Sequence, residues 1–214
     1  MNRRELFSGA LGECANPQQA GALLIPNVAL RNQDNVPVRF YDDLVKGKQV
    51  IINMMYAHCE GFCSMITSRL VEVHRTLAAR MGKDLFMYSI TLKPEQDDPA
   101  ALKEFARVQR ADLPGWQFLT GDAYDIDTLR FALFRHDHIK IDLDLETHAA
   151  RLRIINDQIG RWVHVAAMAS PMTVLQHISW ADPPKSETQR RAENRRLQQQ
   201  IDQEVARYGY RKVI

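Results

Sequence analysis

The chain has 214 residues, 45% apolar and 25% charged, which is the make-up of a globular protein with room for one sizeable domain and extensions. Its 28 basic and 26 acidic side chains leave a net charge of +2, a balance that argues against nucleic acid or a membrane surface as the partner. No run of about 18 apolar residues occurs, so no transmembrane helix is expected, and three cysteines cannot form a disulfide framework, so the fold must stand on an apolar core.

Residues 1–25 read as a polar N-terminal arm. "MNRRELFSGALG" opens with Arg3 and Arg4 in the manner of a twin-arginine export signal. Such a signal needs an apolar stretch of about 7–15 residues, which Glu13, Asn16, Gln18 and Gln19 interrupt. A degraded or truncated export signal is the alternative. "LGEC" resembles a lipoprotein cleavage box, spoiled by Glu13 beside Cys14. Cys14 is expected to be spare, neither a ligand nor a disulfide partner.

From residue 26 two periodicities alternate. "VPVRFY" (36–41) alternates as a strand, and "QVIINMMY" (49–56) is a continuous apolar run, as a buried central strand should be. Residues 63–80 carry Met65, Ile66, Leu70, Val73 and Leu77 at helical spacing, closed by Gly82. "DLFMYSITL" (84–92) predicts a second buried strand, and 98–111 a helix with Asp98 as cap and Pro99 in its first position. A short strand (116–121), a helix (122–135), a hairpin (150–157 with 160–167) and a helix opened by Ser170 and Pro171 follow. The expected fold class is α/β, a thioredoxin-like central sheet flanked by helices over residues 26–182. "ADPPKS" then breaks the pattern. Residues 183–214 predict an appended C-terminal helix, with a Ser186/Gln189 capping box and a narrow apolar stripe of Leu197, Ile201, Val205 and Tyr208. A solvated helix lying along the domain is preferred for it over a docking or dimerisation helix.

Two cysteines, Cys59 and Cys63, occupy "AHCEGFCSM". Cys59 falls in the loop at the carboxyl end of the first buried strand, where open α/β sheets place their sites. Cys63 falls in the first turn of the next helix, where unpaired N–H groups favour a thiolate. Redox pairs usually read C-x-x-C. Here three residues intervene, Glu60, Gly61 and Phe62, a spacing that still allows a disulfide and also lets two sulfurs meet one metal ion. Of the seven histidines, His74 and His177 fall within helices, His164 in a hairpin strand, and His136 and His138 in a polar loop. His148 precedes the strand "ARLRII", in a loop that a thioredoxin-like fold turns toward the cysteine loop. Two thiolates and one imidazole suit Cu(I) and leave zinc one ligand short.

The segments 38–65, 84–106, "PGWQFLTGD" (114–122), "THAARLRIINDQIGRW" (147–162) and "ADPPKS" (181–186) together resemble the SCO/SenC family of copper-binding, thioredoxin-fold proteins. The resemblance runs in register over about residues 26–186. It implies that Cys59, Cys63 and His148 bind copper, and that the chain is an assembly factor delivering Cu(I) to a respiratory oxidase copper site. The implied partner is a copper-accepting apo-oxidase subunit or another copper or thiol protein, in the periplasm or cell envelope. The alternative is a thiol–disulfide oxidoreductase or redox sensor, in which Cys59 attacks and Cys63 resolves; in that case the chain is an enzyme rather than a metallochaperone. Four positions depart from the family pattern. Ser64 replaces a proline after the second cysteine, Lys93 replaces an aspartate before Pro94, and Met54 and Met55 replace an aromatic pair. Lys93 brings a cation toward the site, and Met54 and Met55 are expected in the core rather than as ligands.

Overall fold

The computed structural model describes residues 25–58, 63–134, 151–184, 186–188, 191, 195 and 199. The strands are β1 (Ala29–Asn32), β2 (Pro37–Arg39), β3 (Gln49–Met55), β4 (Leu85–Thr91), β5 (Trp116–Gly121), β6 (Arg151–Asn156) and β7 (Arg161–Ala166). The helices are α1 (Cys63–Thr76), α2 (Pro99–Val108), α3 (Ala123–Phe134) and α4 (Pro171–Ala181). The strands form one mixed sheet, in the order β2-β1-β5-β4-β3-β6-β7, flanked by the helices as a thioredoxin-like fold requires.

β4 is the middle strand of the seven, and β3 beside it is an interior strand whose seven residues are all buried. β3 pairs in parallel with β4, from Gln49↔Leu85 to Met55↔Thr91, and β4 pairs in parallel with β5. On its other side β3 pairs antiparallel with β6, and β6 with β7. Met54 and Met55 are core residues, each 1% exposed. A chain of side-chain hydrogen bonds crosses the three parallel strands. Trp116 Nε1 donates to Ser89 Oγ at 2.9 Å, and Ser89 Oγ donates to Asn53 Oδ1 at 2.8 Å, so each of these buried polar groups finds a partner.

Both helices opened by proline are capped as their sequences predict. Asp98 accepts from Ala101 N at 2.8 Å before α2, and Ser170 accepts from Thr173 N at 3.2 Å before α4. Three local expectations need correction. The strand foreseen over 36–41 stops at Arg39, because Phe40, Tyr41, Leu44 and Val45 are all buried and the chain winds into a π-helical turn, Phe40–Val45, to bury them. Its partner β1 was not foreseen; "ALRN" alternates over only four residues. The helix foreseen over 63–80 ends at Thr76, and its Met65 is 47% exposed, off the buried stripe formed by Ile66, Leu70 and Val73.

Two glycines meet between elements. Gly82, before β4, and Gly115, before β5, have φ of 76° and 75°. A Cβ on Gly115 would stand 2.3 Å from Gly82 N, so the two backbones touch.

Tyr88 donates from its buried hydroxyl to Leu44 O at 2.9 Å, and burial pushes its phenol well above the ordinary value of 10.0. A phenol raised in the folded state contributes stability that is complete below the unfolded value and is lost as pH climbs through the folded one. Unfolding free energy is therefore expected to decline above about pH 10, and Tyr88→Phe should flatten that decline while costing about 1 kcal/mol at neutral pH. Urea titrations at pH 7 and pH 11 check this; an equal decline in both proteins counts against it.

The chain divides into two compact units, Met1–Asp182 and Pro183–Ile214. In the second, Glu187 pairs with Arg191 one turn on, at 2.5 Å. Gln189 of the expected capping box and the stripe Leu197, Ile201, Val205 and Tyr208 lie outside the described residues, as does Cys14. Among the described residues no helix is long and apolar enough to cross a membrane.

Candidate metal centre

The carboxyl end of β3 leads into the cysteine loop. Met55 O accepts from Leu92 N at 2.7 Å, which extends the β3–β4 pairing by one rung. Tyr56 is buried, and His58 is exposed. The loop returns at Cys63, the first residue of α1, which is 1% exposed. Thr67 Oγ1 donates to Cys63 O at 2.8 Å, which tightens the first turn of α1. Cys59 and His148, the other two expected ligands, lie outside the described residues, as do His136 and His138.

The sheet register bears on His148 nevertheless. β6 begins at Arg151, three residues after it. Leu152 pairs with Asn53, so the start of β6 stands at the carboxyl end of β3, the end that leads to Cys59. β7, antiparallel to β6, runs with β3, and the turn after it lies at that same end. Arg69 of α1 donates to Met168 O and to Ala169 O, which holds this turn against α1.

Two of the described histidines are engaged elsewhere. His74 is buried, its Nε2 sharing a hydrogen bond of 2.8 Å with Pro114 O and its ring stacked on Trp116. His177 bonds through Nδ1 to Thr173 O at 2.7 Å and packs on Trp180. His164 is exposed on β7. Among the described residues no three His, Cys, Asp or Glu side chains stand close enough together to hold a metal ion.

Sequence reasoning passed over Asp97 and Gln109. Asp97 is 1% exposed, and its Oδ2 accepts from Ala57 N at 2.9 Å and from Thr91 Oγ1 at 2.6 Å. Gln109, just after α2, donates from Nε2 to Ser64 Oγ at 3.0 Å. Only the doublet "DD" in "LKPEQDD" hinted at Asp97, and the visible cap, Asp98, absorbed that signal. Lys93 is half-buried and does not turn away into solvent. Its Nζ stands 4.0 Å from the centre of the Tyr56 ring, a cation–π contact at the end of β3. The donor set foreseen here, two thiolates with an imidazole, is the soft kind that suits Cu(I).

The family model described as SCO1/SenC matches residues 18–180. The SCO1 protein homolog of Bacillus subtilis (strain 168) is 30% identical over 91 residues, which is 42% of this chain and 46% of that protein; the match spans about half the length of that curated relative. The crystal structure of yeast Sco1 with copper bound is similar in fold, with a TM-score of 0.55 and 20% identity over 72% of this chain and 92% of that one. So is BsSco, described as a member of the Sco family of cytochrome c oxidase assembly proteins in which a disulfide switch was identified, with a TM-score of 0.59 and 21% identity over 74% and 92%.

Proposed function

Because this chain belongs to the SCO1/SenC family, we propose that it is a copper-binding assembly factor, holding Cu(I) through Cys59, Cys63 and His148 and delivering it to a respiratory oxidase copper site. The observation that carries the reading is the pairing of Asn53 with Leu152, which sets the start of β6, just after His148, beside the end of β3, just before Cys59. The copper bound by yeast Sco1, a protein of the same fold, supports it. Two thiolates and an imidazole form a low-coordinate soft site, from which an acceptor's thiolate can draw the ion by ligand exchange. The acceptor is an apo-oxidase subunit or another copper or thiol protein, met in the periplasm or cell envelope.

One observation favours a second reading, a thiol–disulfide oxidoreductase or sensor. Lys93 puts an ammonium at the end of β3 where the family carries a carboxylate, and a cation there favours thiolates while opposing Cu(I). Cys63 is buried, so Cys59 would be the attacking sulfur and Cys63 the resolving one. The two chemistries exclude each other at any moment, since a disulfide has no thiolate left to bind copper.

His148→Ala separates them. It is expected to lower Cu(I) affinity by roughly 100-fold or more, beyond what loss of an outer partner costs, and to leave disulfide exchange with glutathione unchanged. Competition with a Cu(I) chelator reads the first quantity and a glutathione-buffered assay the second. Wild-type copper binding by His148→Ala, with reductase activity abolished in Cys59→Ser, would overturn the copper reading in favour of the redox one.

A further inference from the structure

Asp97 is a carboxylate withdrawn from water, 1% exposed, at the rim of the sheet. Burying a charge there is costly unless hydrogen bonds compensate it. Its Oδ2 receives two. One is local, from Thr91 Oγ1 at 2.6 Å, and that oxygen in turn accepts from Lys93 N at 3.0 Å, so this bond shapes the turn after β4. The other crosses to the segment that follows β3: Ala57 N donates at 2.9 Å. Ala57 lies just beyond β3, two residues before Cys59. β4 ends at Thr91 and its partner β3 at Met55, so beyond the Leu92–Met55 rung it is the Asp97 carboxylate that takes up the Ala57 N–H. The far side of the cysteine loop carries a second tie. Ser64, the residue after Cys63, accepts from Gln109 Nε2 at 3.0 Å. Asp97 and Gln109 stand at the two ends of α2, so one helix holds the loop on both sides. Ser64 supplies the acceptor for the second tie, which a proline could not.

We infer that Asp97 is a positioning residue for the cysteine pair: with Gln109 it uses α2 to fix the separation of the chain segments that carry Cys59 and Cys63. The inference rests on the proposed role of those cysteines. A disulfide closes only when the two Cα atoms stand within about 4.4–6.8 Å of one another, and a two-thiolate metal site is equally demanding. Holding both ends of the loop removes part of the ordering cost of either reaction. Asp97 acts by geometry through a backbone N–H, so an isosteric amide should serve in its place.

The experiment uses the full chain and two readouts. In the first, the Cys59 and Cys63 thiols equilibrate with oxidised glutathione; one S–S bond forms in the protein, the glutathione S–S bond breaks, and the two hydrogens end on two glutathione thiols. In the second, Cu(I) affinity is read by chelator competition. Asp97→Ala is expected to shift the thiol–disulfide equilibrium about tenfold toward the dithiol, which is about 30 mV, and to weaken Cu(I) binding by about 10- to 100-fold. Asp97→Asn should stay within about twofold of wild type in both. Thr91→Val, which removes the local bond to Asp97 and the one from Lys93 N but keeps the Ala57 bond, should lower the thermal midpoint and leave both readouts within about twofold. If Asp97→Ala fails to fold, Gln109→Ala, at the other end of α2, should shift both in the same direction by about threefold. The inference is overturned if the folded Asp97→Ala or Gln109→Ala protein keeps wild-type values, if Asp97→Asn shifts as far as Asp97→Ala, or if Thr91→Val shifts the equilibrium tenfold. A wild-type protein that binds no Cu(I) at all would defeat the proposed function and leave the glutathione equilibrium to decide the role of Asp97.

Discussion

Cys63→Ser is expected to abolish both Cu(I) binding and disulfide exchange while the domain stays folded. The sulfur belongs to the first residue of α1 and is 1% exposed. Neither chemistry survives on one cysteine, because a disulfide needs two sulfurs and a two-coordinate remnant of Cys59 and His148 forfeits half of the soft donors. Copper affinity should fall by more than about 100-fold, beyond the range seen for outer-shell partners. The structural cost is small by comparison. Serine is close to cysteine in shape, and burying its hydroxyl costs about 1–3 kcal/mol. Circular dichroism and a thermal melt establish that the variant is folded, and chelator competition and glutathione exchange then read the site. A folded Cys63→Ser protein with wild-type copper affinity would remove Cys63 from the ligand set.

Gly115→Ala should produce the largest loss of stability of any single methyl addition among the described glycines. Two effects add there. The residue holds φ of 75°, which a side chain tolerates at a cost of about 1–2 kcal/mol. Its new Cβ would also stand 2.3 Å from Gly82 N and 2.7 Å from Gly82 Cα, and backbone atoms can yield only by moving the turns that lead into β4 and β5. Overpacking of this kind costs about 1–3 kcal/mol. The sum is about 2–5 kcal/mol, or a drop in Tm of roughly 5–20 °C for a domain of this size. Gly47→Ala is the matched control, since Gly47 has φ of 69° with nothing within 4 Å of the added carbon. Equal melting temperatures for the two variants would show that the glycine contact contributes nothing beyond backbone conformation.

How far the sequence could be read varied with the distance over which each signal acts. β3 and β4 were legible because an unbroken apolar run of strand length has few other places to go. The caps Asp98 and Ser170 were legible because a cap acts within three residues. β1 was not, because four residues are too few to show a period and its place depends on β5, to which it pairs at Leu30↔Gly121. The exposure of Met65 could not be read either, since an apolar side chain at the rim of a stripe is placed by the neighbouring element. At the candidate centre, the position of Cys63 in the first turn of a helix followed from the change of period after Tyr56. Asp97 stayed hidden because its meaning lies in a bond to Ala57, 40 residues earlier in the turn after β3. Lys93 could be singled out as a departure, but only the fold shows that it covers Tyr56.

The strand order also governs how the chain reaches its native state. β3 has two neighbours of unequal origin. β4 follows it after one helix, whereas β6 comes only after α2, β5 and α3 have been made. Pairing Gln49 with Asn156 closes a long stretch of chain, a non-local step of the sort that slows folding. Until β6 arrives, one side of β3 is an open edge on seven residues that the native fold buries completely, the kind of edge that captures strands from other molecules. The same late step brings up the chain that carries His148. A nascent or partly unfolded molecule therefore has its cysteines before β6 and the segment with the proposed histidine ligand are in place, and its period of greatest risk of aggregation falls in that interval.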